Sequence, residues 1–337
     1  MTWLAFRQLR PQLVATAVGL ALLAAYLVVL GERLRGAAVD RLLTCSTTDA
    51  CLTAQTQLHD SFGAQVVLLA VVVLALPALL GAFWGAPLVT RELERGTHLL
   101  VWSQSITRAR WLGVKLVVVT GAAVVVTGAA TALTTWATSP YDRVLGDRFA
   151  ALEFGSRNLV PWAYAAFACV GGVAVGLLLR RTLPAMAVTV AVMAMLQVAM
   201  PLVVRPHLLP ATTTSIRFTP DWLAHADFIG PATHDFSDAA PAGIGGYRVP
   251  GALMLTSESV LLHADGRALT NAEMARCGDG AGTSRCLAAM DLHFLVRYQP
   301  AGRYWPFQLV ETGLLLLASA ALAGWSLWRI SGQRGLA

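Results

Sequence analysis

The sequence predicts an all-α polytopic membrane protein with six transmembrane helices and a small mixed extracytoplasmic segment between helices 5 and 6. The first observation is composition, since 56% of the 337 residues are hydrophobic and only 13% are charged. The second is that the apolar residues form six long runs, each able to cross a hydrocarbon layer roughly 30 Å thick. Each run should be helical, because lipid offers backbone amides no hydrogen-bond partner.

The six predicted spans are predominantly apolar stretches that differ mainly in length. They cover residues 12–30, 64–83, 112–137, 159–179, 183–204 and 305–328. We interpret the first as a retained anchor, because it ends in LGERLRG and lacks the small-residue cleavage site of a signal peptide. Two glycine pairs, Gly81 with Gly85 and Gly172 with Gly176, have the spacing that lets helices approach closely, and either chance or packing within the chain explains them better than a dimer face.

The distribution of basic residues predicts which side of the membrane each segment occupies. With the N-terminus inside, the inner segments hold eleven Lys or Arg residues and two acids, a net charge of +9. The outer segments then carry −3, which gives the +6 of the whole chain. Cytoplasmic segments are enriched in Lys and Arg. We therefore expect a multi-pass plasma-membrane protein with both termini in the cytoplasm, and no nucleic acid is needed to explain the charge.

Three regions follow from this topology. Residues 1–204 hold helices 1 to 5 with a cytoplasmic loop at 84–111, and residues 304–337 form helix 6 and a cytoplasmic tail. Residues 205–303 have an ordinary soluble composition and should form an extracytoplasmic domain.

Local patterns inside the extracytoplasmic domain predict its secondary structure. The stretch 230–251 is rich in Pro and Gly, which indicates loop. A hairpin is predicted around Asp265-Gly266. After it, Thr270 or Asn271 should cap a short helix, with Glu273 completing the cap.

The cysteines agree with the assignment of the outer segments. Cys45, Cys51, Cys277 and Cys286 fall outside the membrane, and Cys169 falls within a span. Four outer cysteines allow three connectivities. The local pairs Cys45–Cys51 and Cys277–Cys286 are preferred, because each closes a short loop in an oxidising compartment. Reduced, unrelated thiols are the alternative.

Several chemistries lack their residues in this sequence. No histidine lies in a predicted span, so a membrane haem has no axial ligands. There is no H-E-x-x-H motif for zinc. Lys115 is the only lysine and no P-loop sequence precedes it, so this chain should not hydrolyse nucleotide itself. We predict no catalytic residue and no metal site.

Two polar residues inside the spans are candidates for a substrate path. Glu311 lies about two turns into the sixth span and is either an interfacial residue paired with Arg297 or Arg303, or part of the path. Gln197 lies deep in the fifth span and is either an interhelical hydrogen-bond donor or a ligand contact.

The cytoplasmic loop combines charges of both signs. Residues 87–95 predict a short interfacial amphipathic helix with Leu88 and Leu93 against the bilayer. Its water-facing side carries Arg91, Glu92 and Arg95.

A break and two caps follow this helix. Gly96-Thr97 should end it, with Thr97 capping a short segment through Trp102 and Thr107 capping the third span. Arg108 and Arg110 suit the inner face.

Glu92 and Glu94 are the only acids on the inner side of the predicted topology. A mixed-sign helix parallel to the membrane is a suitable docking surface for a soluble partner.

The same stretch resembles the ABC type-2 permeases, the membrane subunits of ABC exporters. The resemblance is carried by Glu94-Arg95-Gly96-Thr97, a following leucine pair, the Thr107-Arg108 step and Lys115. The longer stretch GAFWGAPLVTRELERGTHLLVWSQSITRARWLGVKL and the later RYQPAGRYWPFQLVET are similar to an actinobacterial branch of these permeases.

The resemblance implies a permease subunit that moves an amphiphilic drug, peptide or lipid outward. It implies a cytoplasmic ABC ATPase subunit, a second permease subunit, identical or not, and membrane lipids as partners. ATP and Mg would bind the ATPase, and this chain would bind no cofactor. The 84–111 loop would then be the coupling loop, with these contact residues: Arg91, Glu92, Glu94, Arg95, Gly96, Thr97, Trp102, Arg108 and Arg110.

A different class of function also fits the sequence. A membrane-anchored enzyme or sensor could act through the extracytoplasmic segment, where His263, Asp265, Asp291 and His293 are candidate acids and bases. Their spacing names no reaction.

Overall fold

The protein is described by a computed structural model that covers residues 2–44, 48–96, 107–145, 148–219, 226–232, 235–278 and 282–332. It divides into two compact units. The helical unit comprises Met1–Gly146, Ala150–Arg205 and Trp305–Ala337. The sheet unit comprises Asp147–Phe149 and Pro206–Tyr304.

The helical unit contains long helices together with two short ones. Its helices are α1 (Thr2–Thr44), α2 (Thr48–Leu80), α3 (Pro87–Glu94), α4 (Arg108–Leu145), α5 (Ala151–Ser156), α6 (Val160–Leu179), α7 (Thr182–Ala199) and, at the end of the chain, α10 (Tyr304–Gly332). Five-residue π-helical stretches follow α2 at Gly81–Gly85 and α7 at Met200–Val204.

Within the described residues, six helical segments are long and apolar enough to cross a membrane. They are Gln12–Ala38, Thr53–Glu94, Arg108–Leu145, Val160–Leu179, Thr182–His207 and Ala301–Gly332. The predicted fold class and number of spans are therefore confirmed. Several helices are longer than the apolar stretches that predict them. For example, α4 has 38 residues and is about 57 Å long at 1.5 Å per residue. Hydropathy marks where a helix enters lipid and carries no signal for where the helix ends.

The two glycine pairs pack the first π-helical stretch against α6. A Cβ atom on Gly85 would lie 2.5 Å from the carbonyl oxygen of Cys169, and one on Gly172 would lie 2.6 Å from that of Gly81. A Cβ atom on Gly176 would lie 3.1 Å from the carbonyl oxygen of Ala86, just after the stretch. Backbones can approach this closely only where side chains are absent. Packing within the chain, one of the two interpretations of this spacing, is therefore the one that the structure supports.

The sheet unit contains an antiparallel sheet with two short helices. Its elements are β1 (Thr212–Arg217), β2 (Phe228–Pro231), β3 (Ala242–Gly245), β4 (Leu253–Met254), β5 (Glu258–Leu262), α8 (Asn271–Ala275), α9 (Thr283–Ala289) and β6 (His293–Gln299). Among the described residues the strand order is β1-β6-β5-β3-β2, with β4 pairing with β6. Its core includes Phe218, Ile244, Leu261, Leu287, Leu292 and Phe294.

The prediction of a loop at 230–251 is wrong in part, because β3 and the end of β2 lie there. The strand β3 reads Ala-Gly-Ile-Gly and all four residues are buried. A Cβ atom on Gly243 would lie 2.6 Å from the carbonyl oxygen of Ser259 on β5. The glycines allow neighbouring strands to come close, and the sequence therefore lacks the β-branched run that indicates a strand.

The other predictions for this unit are met. At the Asp265-Gly266 turn, the N–H of His263 donates to the carbonyl of Arg267 at 2.8 Å. A capping box joins Thr270 and Glu273 at the start of α8.

Four of the five cysteines, Cys51, Cys169, Cys277 and Cys286, lie within the described residues. Cys277 and Cys286 form a disulfide with a Cα–Cα distance of 5.6 Å. Cys169 is free and buried. The predicted Cys45–Cys51 pair includes Cys45, which lies outside the described residues.

Candidate functional site

The short helix α3 is built into the helical unit. Ala86 has helical φ and ψ of −59° and −46°, so the chain passes from the π-helical stretch into α3 without a break. Leu88, Val89 and Leu93 pack against an apolar cluster from α4, α6 and α10. That cluster contains Trp111, Leu112, Leu116, Val170, Val173, Leu177 and Ile330. Leu88 and Leu93, predicted to face the bilayer, are partly buried against this cluster, and the interfacial position of the helix stays a prediction.

Glu92 of α3 forms an ion pair with the only lysine of the chain. The Lys115 Nζ lies 2.5 Å from the Glu92 Oε1, and the two side chains are only 8% and 18% exposed. The same Nζ lies 4.4 Å from the centre of the Trp111 ring. A buried ammonium requires a partner that offsets its lost hydration. The prediction that Glu92 faces water is therefore wrong.

Glu94 joins the end of α3 to the start of α7. Its Oε1 accepts a hydrogen bond from the backbone N–H of Thr182 at 2.7 Å, and its Oε2 accepts one from the Thr182 hydroxyl at 2.7 Å. Thr182 is the first residue of α7, where backbone amides lack partners within the helix. A carboxylate there also interacts favourably with the helix dipole. Glu94 thus acts as a cap supplied by another helix.

The termination of α3 and the start of α4 follow the predicted signals. Gly96 has a φ of +69°, the left-handed conformation that favours glycine after a helix. The hydroxyl of Thr107 accepts a hydrogen bond from the backbone N–H of Arg110 at 3.3 Å, so Thr107 caps α4 as predicted. Thr97 and Trp102 lie outside the described residues.

The exposed surface around α3 is basic. Arg91 of α3 and Arg95, the residue that follows α3, are exposed, as are Arg180 and Arg181 in the turn between α6 and α7. We call these four residues the arginine patch. Arg110 is also exposed and Arg108 is half-buried. Arg95 and Arg181 both interact electrostatically with Glu94 and help to lower the pKa of that carboxyl, after the larger effect of its hydrogen bonds with Thr182.

A second polar cluster surrounds Glu311. Glu311 is 0% exposed, and its two carboxylate oxygens meet the Nε and Nη2 of Arg205 at 3.1 and 3.3 Å. The Tyr164 hydroxyl donates to the same carboxylate at 3.5 Å. Bidentate contacts of this kind are among the stronger ion pairs.

The predicted partners of Glu311, Arg297 and Arg303, are wrong. Arg303 instead donates to Gln299 and to the carbonyl of Pro210 within the sheet unit. Sequence reasoning missed Arg205 because the apolar run ends at Val204. The chain remains helical through Met200–Val204 and Arg205–His207, which keeps the guanidinium inside the helical unit.

Gln308 is a further buried residue that sequence reasoning missed. Its Oε1 accepts from the backbone N–H groups of Leu159 and Val160 at 3.2 Å each, and its Nε2 donates to the carbonyl of Phe154 at 3.1 Å. It therefore satisfies amides at the start of α6. The available signal was its position three residues before Glu311, which places both on one helix face.

Gln197 bridges two helices. Its Nε2 donates to the backbone carbonyl of Leu74 in α2 at 2.7 Å. This is the interhelical hydrogen bond that was one of the two sequence interpretations.

Apolar clefts open between the helices of this unit. One of about 450 Å³ lies among α1, α2 and α4, with Gln12 and Thr16 as polar lining residues. Another of about 440 Å³ lies among α6, α7 and α10 and includes Thr189 and Trp325. Sites of this size and character suit ligands with a large apolar part.

Asp291 and His263, two of the four candidate acids and bases of the sheet unit, have structural partners. Asp291 pairs with Arg217 at 2.8 Å on the surface, and His263 lies 3.8 Å from Glu273. Glu273 accepts hydrogen bonds from Arg267 and from the Thr270 backbone, which lower its pKa to about 2. No cluster of three metal-ligating side chains occurs among the residues that the structure describes.

These features define a polytopic membrane protein whose in-span polar groups hold helices together and whose clefts are apolar. The family model for ABC-2 membrane transporter related proteins matches residues 17–205, more than half of the chain, and the protein belongs to this family. No curated protein and no solved structure gives a significant match. The family and the membrane helices make the chain a transport permease, and they suggest a transport subunit rather than an enzyme. Its actinobacterial branch stays a prediction.

Proposed function

We propose that this chain is the membrane subunit of an ABC exporter that moves an amphiphilic substrate out across the plasma membrane. A separate cytoplasmic ATPase subunit would bind ATP and Mg and hydrolyse the ATP. A second permease subunit, identical or not, would complete the complex. Membership in the ABC-2 related family supports the transport role, and the apolar clefts support a substrate with a large apolar part.

The position of α3 is the observation that carries this proposal. Its buried face contacts residues of α4, α6 and α10. Glu92 and Glu94 bind it to Lys115 of α4 and Thr182 of α7. A partner that displaces α3 would therefore displace four longer helices together, which is what a coupling element must do.

The proposed orientation places α3 and both termini in the cytoplasm. The +9 charge of the inner segments supports this orientation. The sheet unit would then lie outside the cell, where the Cys277–Cys286 disulfide is stable.

Purification from native membranes in a mild detergent tests the proposal. We expect a P-loop ATPase to co-purify, and we expect the complex reconstituted in liposomes to hydrolyse ATP faster when an amphiphilic substrate is supplied. A chain that purifies without any ATPase from cells that express its genomic neighbours would favour the enzyme or sensor alternative.

A further inference from the structure

We infer that the arginine patch docks against a carboxylate-rich surface of the ATPase partner, an inference that rests on the proposed function. Glu92 and Glu94 are the only acids between Asp60 and Asp142 in the sequence. Both are engaged within the chain, Glu92 by Lys115 and Glu94 by Thr182. The charge that α3 can offer a partner is therefore positive.

The arginine patch joins two segments that a partner would have to move together. Arg91 and Arg95 are four residues apart and lie on the same face at the end of α3. Arg181 belongs to the other segment, and Glu94 interacts electrostatically with both Arg95 and Arg181. No described carboxylate lies within 4.0 Å of any of the four guanidinium groups.

A guanidinium can pair with a protein carboxylate or a lipid phosphate, and the proposed coupling role favours the carboxylate. A guanidinium forms paired hydrogen bonds with a carboxylate in a fixed geometry. Such fixed contacts can transmit a displacement to α3, whereas a mobile headgroup that neutralises the same charge cannot. A groove lined with Asp and Glu would also speed docking through electrostatic steering.

Carbodiimide cross-linking tests this inference, because it joins an amine directly to a carboxylate. The wild-type chain offers this reaction no accessible lysine amine, since Lys115 is its only lysine and is buried, so a cross-link from an amine of this chain to a partner carboxylate identifies the introduced lysine. Arg91→Lys and Arg95→Lys keep the positive charge and place an amine in the patch. Arg276→Lys, at an exposed position of the sheet unit, is the matched control.

In the complex with the co-purified ATPase, we expect zero-length cross-links from position 91 or 95 to Asp or Glu residues of the ATPase. Mass spectrometry would locate both ends, and the wild-type chain and Arg276→Lys should give none. An intact complex that forms no cross-link at either position would overturn the inference. Adducts only with carboxylate-bearing lipid headgroups would overturn it as well.

Charge reversal gives an independent measurement. Arg91→Glu combined with Arg95→Glu should weaken ATPase association about tenfold or more at low salt, the equivalent of about 1.4 kcal/mol. Wild-type association should weaken as salt screens the contact. Unchanged association in the reversed variant would sink this inference and leave the proposed function standing. Failure of any ATPase to bind the wild-type chain would instead sink the proposed function.

Discussion

Substitution of Gly172 by alanine tests the close packing between α6 and the first π-helical stretch. The added Cβ would lie 2.6 Å from the carbonyl oxygen of Gly81 and 2.9 Å from the amide nitrogen of Ala86. Both are backbone atoms and cannot rotate away. Reaching an ordinary contact of about 3.5 Å requires a separation of roughly 0.9 Å at this point. Overpacking of this kind typically costs about 1–3 kcal/mol.

Gly171→Ala is the matched control, because the neighbouring glycine has no atom within 4 Å of an added Cβ. Alanine is favoured over glycine in a helix by about 1 kcal/mol, and that gain is common to both variants. The difference between them therefore isolates the packing cost of about 1–3 kcal/mol.

The assay is thermal unfolding of the purified protein in detergent, followed by tryptophan fluorescence. We expect Gly172→Ala to unfold at a clearly lower temperature than Gly171→Ala. Equal unfolding temperatures would refute the close backbone contact between α6 and the first π-helical stretch, which leads directly into α3.

Three further predictions address the buried pair, the sheet unit and the topology. Arg205→Gln should lower the free energy of unfolding by about 3–5 kcal/mol, because it leaves Glu311 buried without its cation. Replacing both residues by Met should restore most of this stability. A double variant as unstable as the single one would contradict the pairing. Because hydrogen bonds hold the folded pKa of Glu273 near 2, below its ordinary 4.5, its contribution is full above pH 4.5 and is lost as pH falls towards 2. Hydrogen exchange of α8 should show this acid loosening in the wild type and not in Glu273→Gln. A membrane-impermeant maleimide should label Cys277 on intact cells only after reduction; labelling without reductant would exclude the disulfide there.

The sequence predicts local features of this protein well and long-range pairs poorly. The six spans follow from apolar runs, and the α8 capping box follows from Thr270 and Glu273, which are three residues apart in one short motif. Arg205 and Glu311 are 106 residues apart, with the sheet unit between them in the chain. Nothing local to either residue indicates the other, so nearby arginines were the natural but wrong choice.

Long-range contacts also determine the charge of the proposed docking surface. From the sequence alone, Arg-Glu-Leu-Glu-Arg is a helix of mixed charge whose carboxylates are predicted to contact a partner. In the fold, Lys115 engages one carboxylate and the start of α7 engages the other. A carboxylate can bind a partner protein only if no group of its own chain already binds it. A buried ammonium or a helix N-terminus competes strongly for a carboxylate, because each would otherwise lack a partner inside the fold. Replacing Glu92 and Glu94 by arginine should therefore abolish coupling by loosening α3 from α4 and α7, whatever the charge of the partner.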